Sequence, residues 1–508
     1  MRLRETLPRD LAASLVVFLV AIPLCLGIAI ASGAPVAMGL ISGIVGGAVV
    51  GLIAGSPLQV TGPAAGLAVI VFAFIQEHGV AMLGPVLVAA GVLQILAGLL
   101  GIGSWFRAIS PAVVHGMLAG IGLLIILGQV HVLMGARPAA GAIENVAAMG
   151  ETLDHLVGAG NSAEGAALLV GLISLLAMLG WEKVRPAALT LMPGALIGVA
   201  AGTMLTAALD LPIPRVDLPE SLFADLSLPG AADFAGLLQP SILIATLVIA
   251  VIASAETLLS AAAVDRMHDG PRTRFNRELF AQGVGNGVCG LLGGLPITGV
   301  IVRSSANVQA GARTRASAVL HGIWILALVA LAPALLELVP LTALAAVLLV
   351  TGWRLIALRH VRELLSHHGF VPVAIWGATV TLVVVEDLLI GVGVGLALSL
   401  VEILPHLRRR LAIRHAERDG AIRLGLRGAA TCRDVPALLG ALESLPKGRR
   451  VRLVDQGLRY IDHTSAETIS EWLRREAKAG RPIEVEPRRT RSHPRVGPVF
   501  ARLSSELA

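Results

Sequence analysis

Apolar blocks of roughly 15 to 25 residues follow one another from the N-terminus to about Leu404, with short polar breaks between them. A stretch of about 20 apolar residues can cross a bilayer as a helix. Only 15% of the 508 residues are charged, whereas soluble domains carry about 25%. The sequence therefore predicts an all-α polytopic membrane protein and argues against a large soluble core.

We predict about fourteen crossings. They span residues 10–31, 36–55, 62–76, 81–101, 110–131, 164–180, 188–207, 240–262, 279–293, 298–310, 316–332, 341–356, 370–385 and 388–405. With a cytoplasmic N-terminus, most Lys and Arg before the tail lie inside, in the loops 181–186, 265–278, 312–315 and 354–363. The acidic loops 132–163 and 208–239 then lie outside, and the even number of crossings places the tail in the cytoplasm.

A glycine stripe runs through the second crossing. It consists of Gly39, Gly43, Gly47, Gly51 and Gly55, which recur at every fourth residue. Small residues on one face let a second helix approach closely. The stripe therefore predicts tight packing, although membrane helices are also rich in glycine generally.

Two crossings are short and interrupted. The segments "SPLQVTGPAAGLAVI" (56–70) and "GLPITGVIVRSSANV" (294–308) each contain Pro, a β-branched stretch and then Thr-Gly. They are the third and tenth crossings, which are equivalent positions in two halves of seven helices. Interrupted helices at matching positions of an inverted repeat indicate a transport site near the midplane. The alternative is a pair of ordinary kinked helices.

Each interrupted segment predicts an extended piece followed by a helix whose first N–H groups favour an anion. Pro63 suits the first turn of such a helix. Arg303 follows Gly299 by about one turn and can meet a transported anion. Glu256, in the eighth crossing, and Ser260, one turn on, predict a site for a proton or Na⁺. Glu256 can also balance Arg303 when the anion is absent.

The string from Asn276 to Arg315, together with "VTGPAAGLAVIV" (60–71) and "AETLLSAAAVDRM" (255–267), resembles the SulP family of anion transporters. The resemblance implies a seven-plus-seven inverted repeat, with a core of helices 1–4 and 8–11 that moves against a gate of helices 5–7 and 12–14. It implies an anion between the two half-helices, at Thr61, Gly62, Pro63, Ala64, Ala65, Thr298, Gly299, Val300, Ile301, Val302 and Arg303. Glu256 and Ser260 match the positions associated with proton or Na⁺ coupling.

Helix 1 departs from the family pattern, because many members have Pro-Gln where this chain has Pro23-Leu24. Leu24 lacks the donor that reaches the anion in those members. Helix 1 and the second half-helix look most like a bacterial branch associated with carbonic anhydrases. The resemblance thus implies bicarbonate, carried by an elevator-like movement in a homodimer of the bacterial inner membrane, with a carbonic anhydrase as a functional partner.

Other functions stay open at this point. They are a sulfate or dicarboxylate proton symporter, an uncoupled exchanger or channel, and a membrane scaffold or sensor that acts through the tail. An enzyme is disfavoured, since we see no metal-ligand cluster, triad or phosphate loop. Three cysteines suggest no disulfide or metal framework, and with 3% aromatics the net charge of +6 does not indicate nucleic-acid binding. No cofactor is expected apart from a coupling Na⁺.

The tail becomes soluble in composition from about Arg414. The pattern predicts strand "AIRLGLRGAA", helix "CRDVPALLGALESLP", strand "RRVRLVDQGLRYID", helix "SAETISEWLRREAKAG" and strand "PIEVEP". The loop "YIDHTSAETI" resembles the signature loop of STAS domains. We therefore predict a transport domain at 1–407 and a short cytoplasmic STAS domain at 414–508.

The signature loop contains Asp462, Thr464 and Ser465. The sequence predicts that Thr464 or Ser465 caps the helix that follows. The resemblance implies a regulatory role for the loop, because a Ser at this place is phosphorylated in some STAS relatives.

Overall fold

The computed structural model describes residues 3–103, 110–139, 141–158, 162–186, 189, 192–218, 229–268, 270–386, 388–404, 411–418, 421–446, 448–478, 480–486 and 496–505. The chain divides into two compact units. The first comprises residues 1–103 and 118–356, and the second comprises residues 104–117 and 357–508. The boundary predicted between 407 and 414 stays a prediction.

Helices dominate the chain up to residue 404. Up to residue 208 the main elements are α1 (Leu3–Ala31), α2 (Val36–Ile53), strand β1 (Thr61–Pro63), α3 (Ala68–His78), α4 (Leu83–Leu99), α5 (Pro111–Leu133), α6 (Ala142–Gly158), α7 (Ser162–Val184) and α8 (Gly194–Ala208). The later part contains α9 (Pro240–Met267), α10 (Phe275–Leu291), strand β2 (Ile297–Gly299), α11 (Ile301–Gln309), α12 (Ala316–Leu331), α13 (Leu341–Ile356), α14 (Leu358–His368), α15 (Phe370–Val385) and α16 (Leu388–Ile403).

Among the described residues, five helices are both long and apolar enough to cross a membrane, and seven shorter apolar helices accompany them. The two helices α6 and α14 were not predicted. Helix α6 lies in the segment 132–163 and α14 begins in the segment 354–363, and we expected both segments to be loops. Both carry charged residues between their apolar ones, so neither has the continuous apolar run by which a crossing is recognised.

The two interrupted segments pair with each other. Strands β1 and β2 are antiparallel, with Thr61 opposite Gly299 and Gly62 opposite Thr298. The sequence placed Pro63 in a first helical turn, but it lies in β1, and a 3₁₀ turn at Ala65–Leu67 precedes α3. The extended backbone persists past Thr-Gly because the two strands supply each other's hydrogen bonds.

Polar side chains satisfy the rest of this irregular backbone. Asn286 accepts from the Ile297 N–H at 2.8 Å and donates to the Ile297 carbonyl at 3.2 Å, to which Gln282 also donates at 2.7 Å. The Val60 N–H donates to the Ser304 hydroxyl at 2.9 Å. Backbone groups inside a membrane need such partners, since no water is present to bind them.

Two buried carboxylates fix the loops next to the half-helices. Glu278 of α10 accepts the N–H groups of Gly55 and Ser56, both at 2.7 Å, just before β1. Asp10 of α1 accepts the N–H and the hydroxyl of Thr314, at 3.0 and 2.7 Å, beyond the end of α11. Because each carboxylate accepts at least two donors, it holds its loop in one conformation.

The glycine stripe of α2 packs against two helices. A Cβ added at Gly43 would lie 2.6 Å from the Sγ of Cys25 on α1, and one added at Gly47 would lie 2.7 Å from the backbone of Gly322 on α12. No side chain fits at these distances. The tight packing predicted from the stripe is therefore observed.

The tail contains a four-stranded sheet in the order β3-β4-β5-β6. Its elements are β3 (Ala412–Arg418), β4 (Ala421–Ala430), α17 (Val435–Glu443), β5 (Arg450–Ile461), α18 (His463–Lys478), β6 (Ile483–Glu486) and α19 (Gly497–Ser505). Strands β4, β5 and β6 are parallel. Helices α18 and α19 pack on the sheet, and the shared core includes Leu424, Leu453, Trp472 and Phe500. Strand β3 and helix α19 were not predicted.

We expect Gly47→Ala to lower the thermal unfolding temperature in detergent by several degrees. Its methyl group meets the Gly322 backbone, and overpacking of this kind costs about 1–3 kcal/mol. Gly377→Ala in α15 is the matched control, because nothing lies within 4 Å of its added Cβ. Equal unfolding temperatures for the two variants would contradict the close approach of α2 and α12.

Candidate functional site

The candidate site lies where both half-helices begin. The structure brings Thr61–Ala65 and Thr298–Arg303 together through the β1–β2 pair. The hydroxyl-bearing side chains of Thr61 and Thr298 are buried. Val300 is extended and starts α11, and its N–H donates to the Val60 carbonyl at 2.9 Å.

Arg303 is fully buried in the first turn of α11. Its Nη2 donates to the Sγ of Cys25 at 3.5 Å, while its Nε and Nη1 have no hydrogen-bond partner. The guanidinium packs against Gly62, where a Cβ would overlap Nη1. The positive charge thus lies directly behind the paired strands. An unneutralised buried cation strongly favours an anion nearby.

Glu256 contacts both half-helices. Its Oε2 accepts the hydroxyl of Thr298 at 3.2 Å, and its Oε1 lies against Gly66, in the turn that precedes α3. We expected Glu256 to balance Arg303, but these two described residues form no ion pair. Ser260 lies one helical turn further along α9 and is buried.

A cavity of about 420 Å³ adjoins the half-helix α11. It lies among α1, α7, α8, α11 and α13, and its lining includes Leu24, Val302, Ser305 and Gln309. Leu24 and Val302 are thus the two predicted site residues that face this space. The side chain of the neighbouring Ile301 is exposed, and Arg303 is buried away from the cavity.

Sequence reasoning missed three residues that hold the site. Thr257 accepts the Gly299 N–H at 3.2 Å, and Gln59 donates to the Thr257 carbonyl at 3.1 Å. Cys25 supplies the sulfur beside Arg303. Each lies within two positions of a predicted site residue, so adjacency was the available signal.

The tail loop is organised by Asp462. One carboxylate oxygen accepts the Ser465 N–H at 2.8 Å, and the other accepts the Cys432 N–H. Asp462 therefore caps α18, and the prediction that Thr464 or Ser465 does so is wrong. An aspartate before the first turn reaches the third N–H of a helix more readily than a hydroxyl inside that turn. Burial raises the pKa of Asp462 from 3.8 to about 6, against hydrogen bonds from Ser465 that lower it.

Comparison with known proteins shows which family the chain resembles. The model of the sulfate permease family matches residues 7–379. The "Putative sulfate transporter YvdB" of Bacillus subtilis is 30% identical over 91% of this chain and 87% of its own length. The bicarbonate transporter BicA of a Synechocystis strain is 29% identical over 78% of this chain and 69% of its own length.

A solved structure shares the fold. The transmembrane domain of a cyanobacterial bicarbonate transporter BicA superposes with a TM-score of 0.67 at 24% identity, and the match covers 78% of this chain and 98% of that domain. The family match and the named relatives identify an anion transporter. This chain belongs to the sulfate permease family. The resemblance seen in its motifs is confirmed, and the named relatives are transporters, not enzymes.

The raised pKa of Asp462 gives the tail a pH dependence. The folded tail holds this proton more tightly than the unfolded chain does, so the residue's contribution to stability falls as pH rises from about 4 to about 6. We expect Asp462→Asn to remove this slope, because the amide oxygen still caps α18 and carries no charge. Thermal unfolding of both proteins between these pH values measures it, and identical slopes would contradict the assignment.

Proposed function

We propose that this protein is a secondary active transporter of a small inorganic anion, with bicarbonate as its substrate, coupled to Na⁺ or H⁺. One observation carries the proposal. Two half-helices start from one antiparallel pair of strands, with the fully buried Arg303 against that pair and no carboxylate of the described residues paired to it. Helix N-termini and a desolvated guanidinium both favour a negative ligand.

Glu256 supports coupling to a cation. Its carboxylate touches Thr298 and Gly66, so when ionised it repels an anion held at the same half-helix starts. A proton or a Na⁺ at Glu256 removes that repulsion. Anion and cation therefore bind best together, which is the thermodynamic requirement for symport. Ser260 offers a hydroxyl oxygen on the same helix for a Na⁺ ion.

The size and charge of the anion are argued from helix 1. Leu24 lines the cavity next to Val302, and neither side chain can donate a hydrogen bond. A doubly charged anion needs more donors to replace its hydration than a singly charged one. This favours bicarbonate over sulfate, and a bicarbonate transporter is among the relatives.

Sulfate is the second candidate, because the relative with 30% identity is named as a sulfate transporter. An uncoupled exchanger of the same fold is the third possibility.

Coupled transport requires the site to be reached alternately from each side, and we propose the elevator-like movement of core against gate. The basic loops support cytoplasmic termini in a bacterial inner membrane. We further propose a homodimer, a STAS role for the tail and a functional link to carbonic anhydrase.

Arg303 provides the direct test of the anion site. We expect Arg303→Gln to reduce labelled bicarbonate uptake into proteoliposomes at least tenfold, because loss of a buried charge contact costs well over 1.4 kcal/mol. Arg303→Lys should recover part of it, since the charge remains. Arg9→Gln, at an exposed arginine of α1, is the control. Normal uptake by a folded Arg303→Gln protein would refute the site.

Glu256→Gln separates coupling from anion binding. The amide imitates the protonated carboxyl, so it keeps the contact with Thr298 and removes the repulsion. We expect accumulation driven by a Na⁺ or pH gradient to disappear while bicarbonate exchange at equal concentrations persists. Gradient-driven accumulation equal to that of the wild type would exclude Glu256 as the coupling group. Loss of exchange as well would instead make Glu256 part of the anion site.

A further inference from the structure

We propose that Arg354 forms an access subsite for a small planar oxyanion in the 420 Å³ cavity, and that the carboxylate of Glu182 fills this subsite when no anion is bound. The inference rests on the proposed transport function. It names two residues, distant in sequence from both half-helices, that set the concentration at which the anion is taken up.

The two side chains face the same space as the candidate site. Glu182 near the end of α7 and Arg354 in the last turn of α13 line the cavity that also contacts Leu24 and Val302. The Nη2 of Arg354 donates to both carboxylate oxygens of Glu182, at 2.6 and 2.5 Å. The Arg354 side chain remains 44% exposed and that of Glu182 30% exposed. The pair is therefore open to an incoming anion.

The chemistry of the pair indicates which anion fits. A glutamate carboxylate and a bicarbonate ion both present a planar carbon with two oxygens that share one negative charge. A guanidinium binds this group through its N–H donors, with a geometry that a spherical ion cannot match. The Glu182 carboxylate, which is attached to the chain, thus accepts from the N–H donors of Arg354. A free planar oxyanion competes for the same donors.

The charges around the cavity determine whether each substitution strengthens or weakens anion binding. Among the described residues that line it, Glu182 is the single acidic one, while Arg185 and Arg354 are basic. Neutralising Glu182 therefore raises the positive potential of the cavity as well as releasing Arg354. Neutralising Arg354 has the opposite effect, because the Glu182 charge then repels the anion.

A purely structural pair that joins α7 to α13 is the alternative. Partly exposed ion pairs contribute only about 0–1 kcal/mol to stability, since water screens them. The two helices also have apolar contacts of their own, in the cluster where Leu168 and Leu175 of α7 pack with Ala345 and Ala346 of α13. A structural pair predicts that losing either partner has the same effect, whereas a competing anion predicts opposite effects.

The test is the half-saturating bicarbonate concentration for labelled uptake, measured in inside-out and in right-side-out membrane vesicles. We expect Glu182→Gln to lower it about fivefold and Arg354→Gln to raise it about as much, as 1 kcal/mol of altered competition implies. In the Arg354→Gln background, Glu182→Gln should bring a clearly smaller gain than in the wild type, because it then only removes the repulsion of the anion and releases no guanidinium. Arg359→Gln, at an exposed arginine of α14, should change nothing.

Shifts of both single variants in the same direction, or no shift in either vesicle orientation, would overturn the subsite. If the wild-type protein takes up no bicarbonate, the proposed substrate fails and the subsite is tested separately. Sodium bicarbonate is then titrated onto the purified protein while its thermal unfolding is followed. The subsite predicts a larger stabilisation of Glu182→Gln than of the wild type and a smaller one of Arg354→Gln. Equal stabilisation of all three would refute it.

Discussion

A backbone that leaves the helical conformation inside a membrane must find new hydrogen-bond partners, and the rest of this structure depends on how it does so. Strands β1 and β2 pair with each other, so that each broken segment supplies partners for the other. Asn286 then serves both the N–H and the carbonyl of Ile297, and Ser304 serves Val60. With those groups satisfied, the starts of α3 and α11 are held close together. Because neither helix continues through the strands, the first N–H groups of both helices are not used up within a longer helix.

This arrangement explains why a guanidinium can be buried in the core. Gly62 leaves the space that the head group of Arg303 fills, and Cys25 offers a soft, neutral acceptor that does not cancel its charge. Glu256 bonds to Thr298 and not to the arginine. The two opposite charges thus have different partners at one strand pair. Each can then respond to its own ion, although both belong to one small region.

The repeated Thr-Gly in two short apolar segments was enough to predict that the segments belong together, because a break in a membrane helix has few structural explanations. The pattern did not predict that Pro63 lies in a strand, since the pairing that extends the backbone there is a long-range contact. It missed Thr257 and Gln59 for the same reason. Asp462 was passed over as a cap because hydroxyls and carboxylates are equally common before helices, and only the backbone geometry selects one. The amphipathic helices α6 and α14 were not predicted because neither has the long apolar run by which a membrane crossing is recognised.

The bond between the Val60 N–H and Ser304 joins residues 244 positions apart. A ribosome adds about 5–20 residues per second, so on the order of 10–50 s pass between synthesis of the first strand and arrival of its partner. During that interval the first segment has no strand to pair with. An unpaired peptide group in lipid is costly, so the nascent chain must keep this segment near water, or near the insertion machinery, until the second half emerges. Biogenesis of the protein is therefore limited by the order of synthesis as well as by the stability of the finished fold.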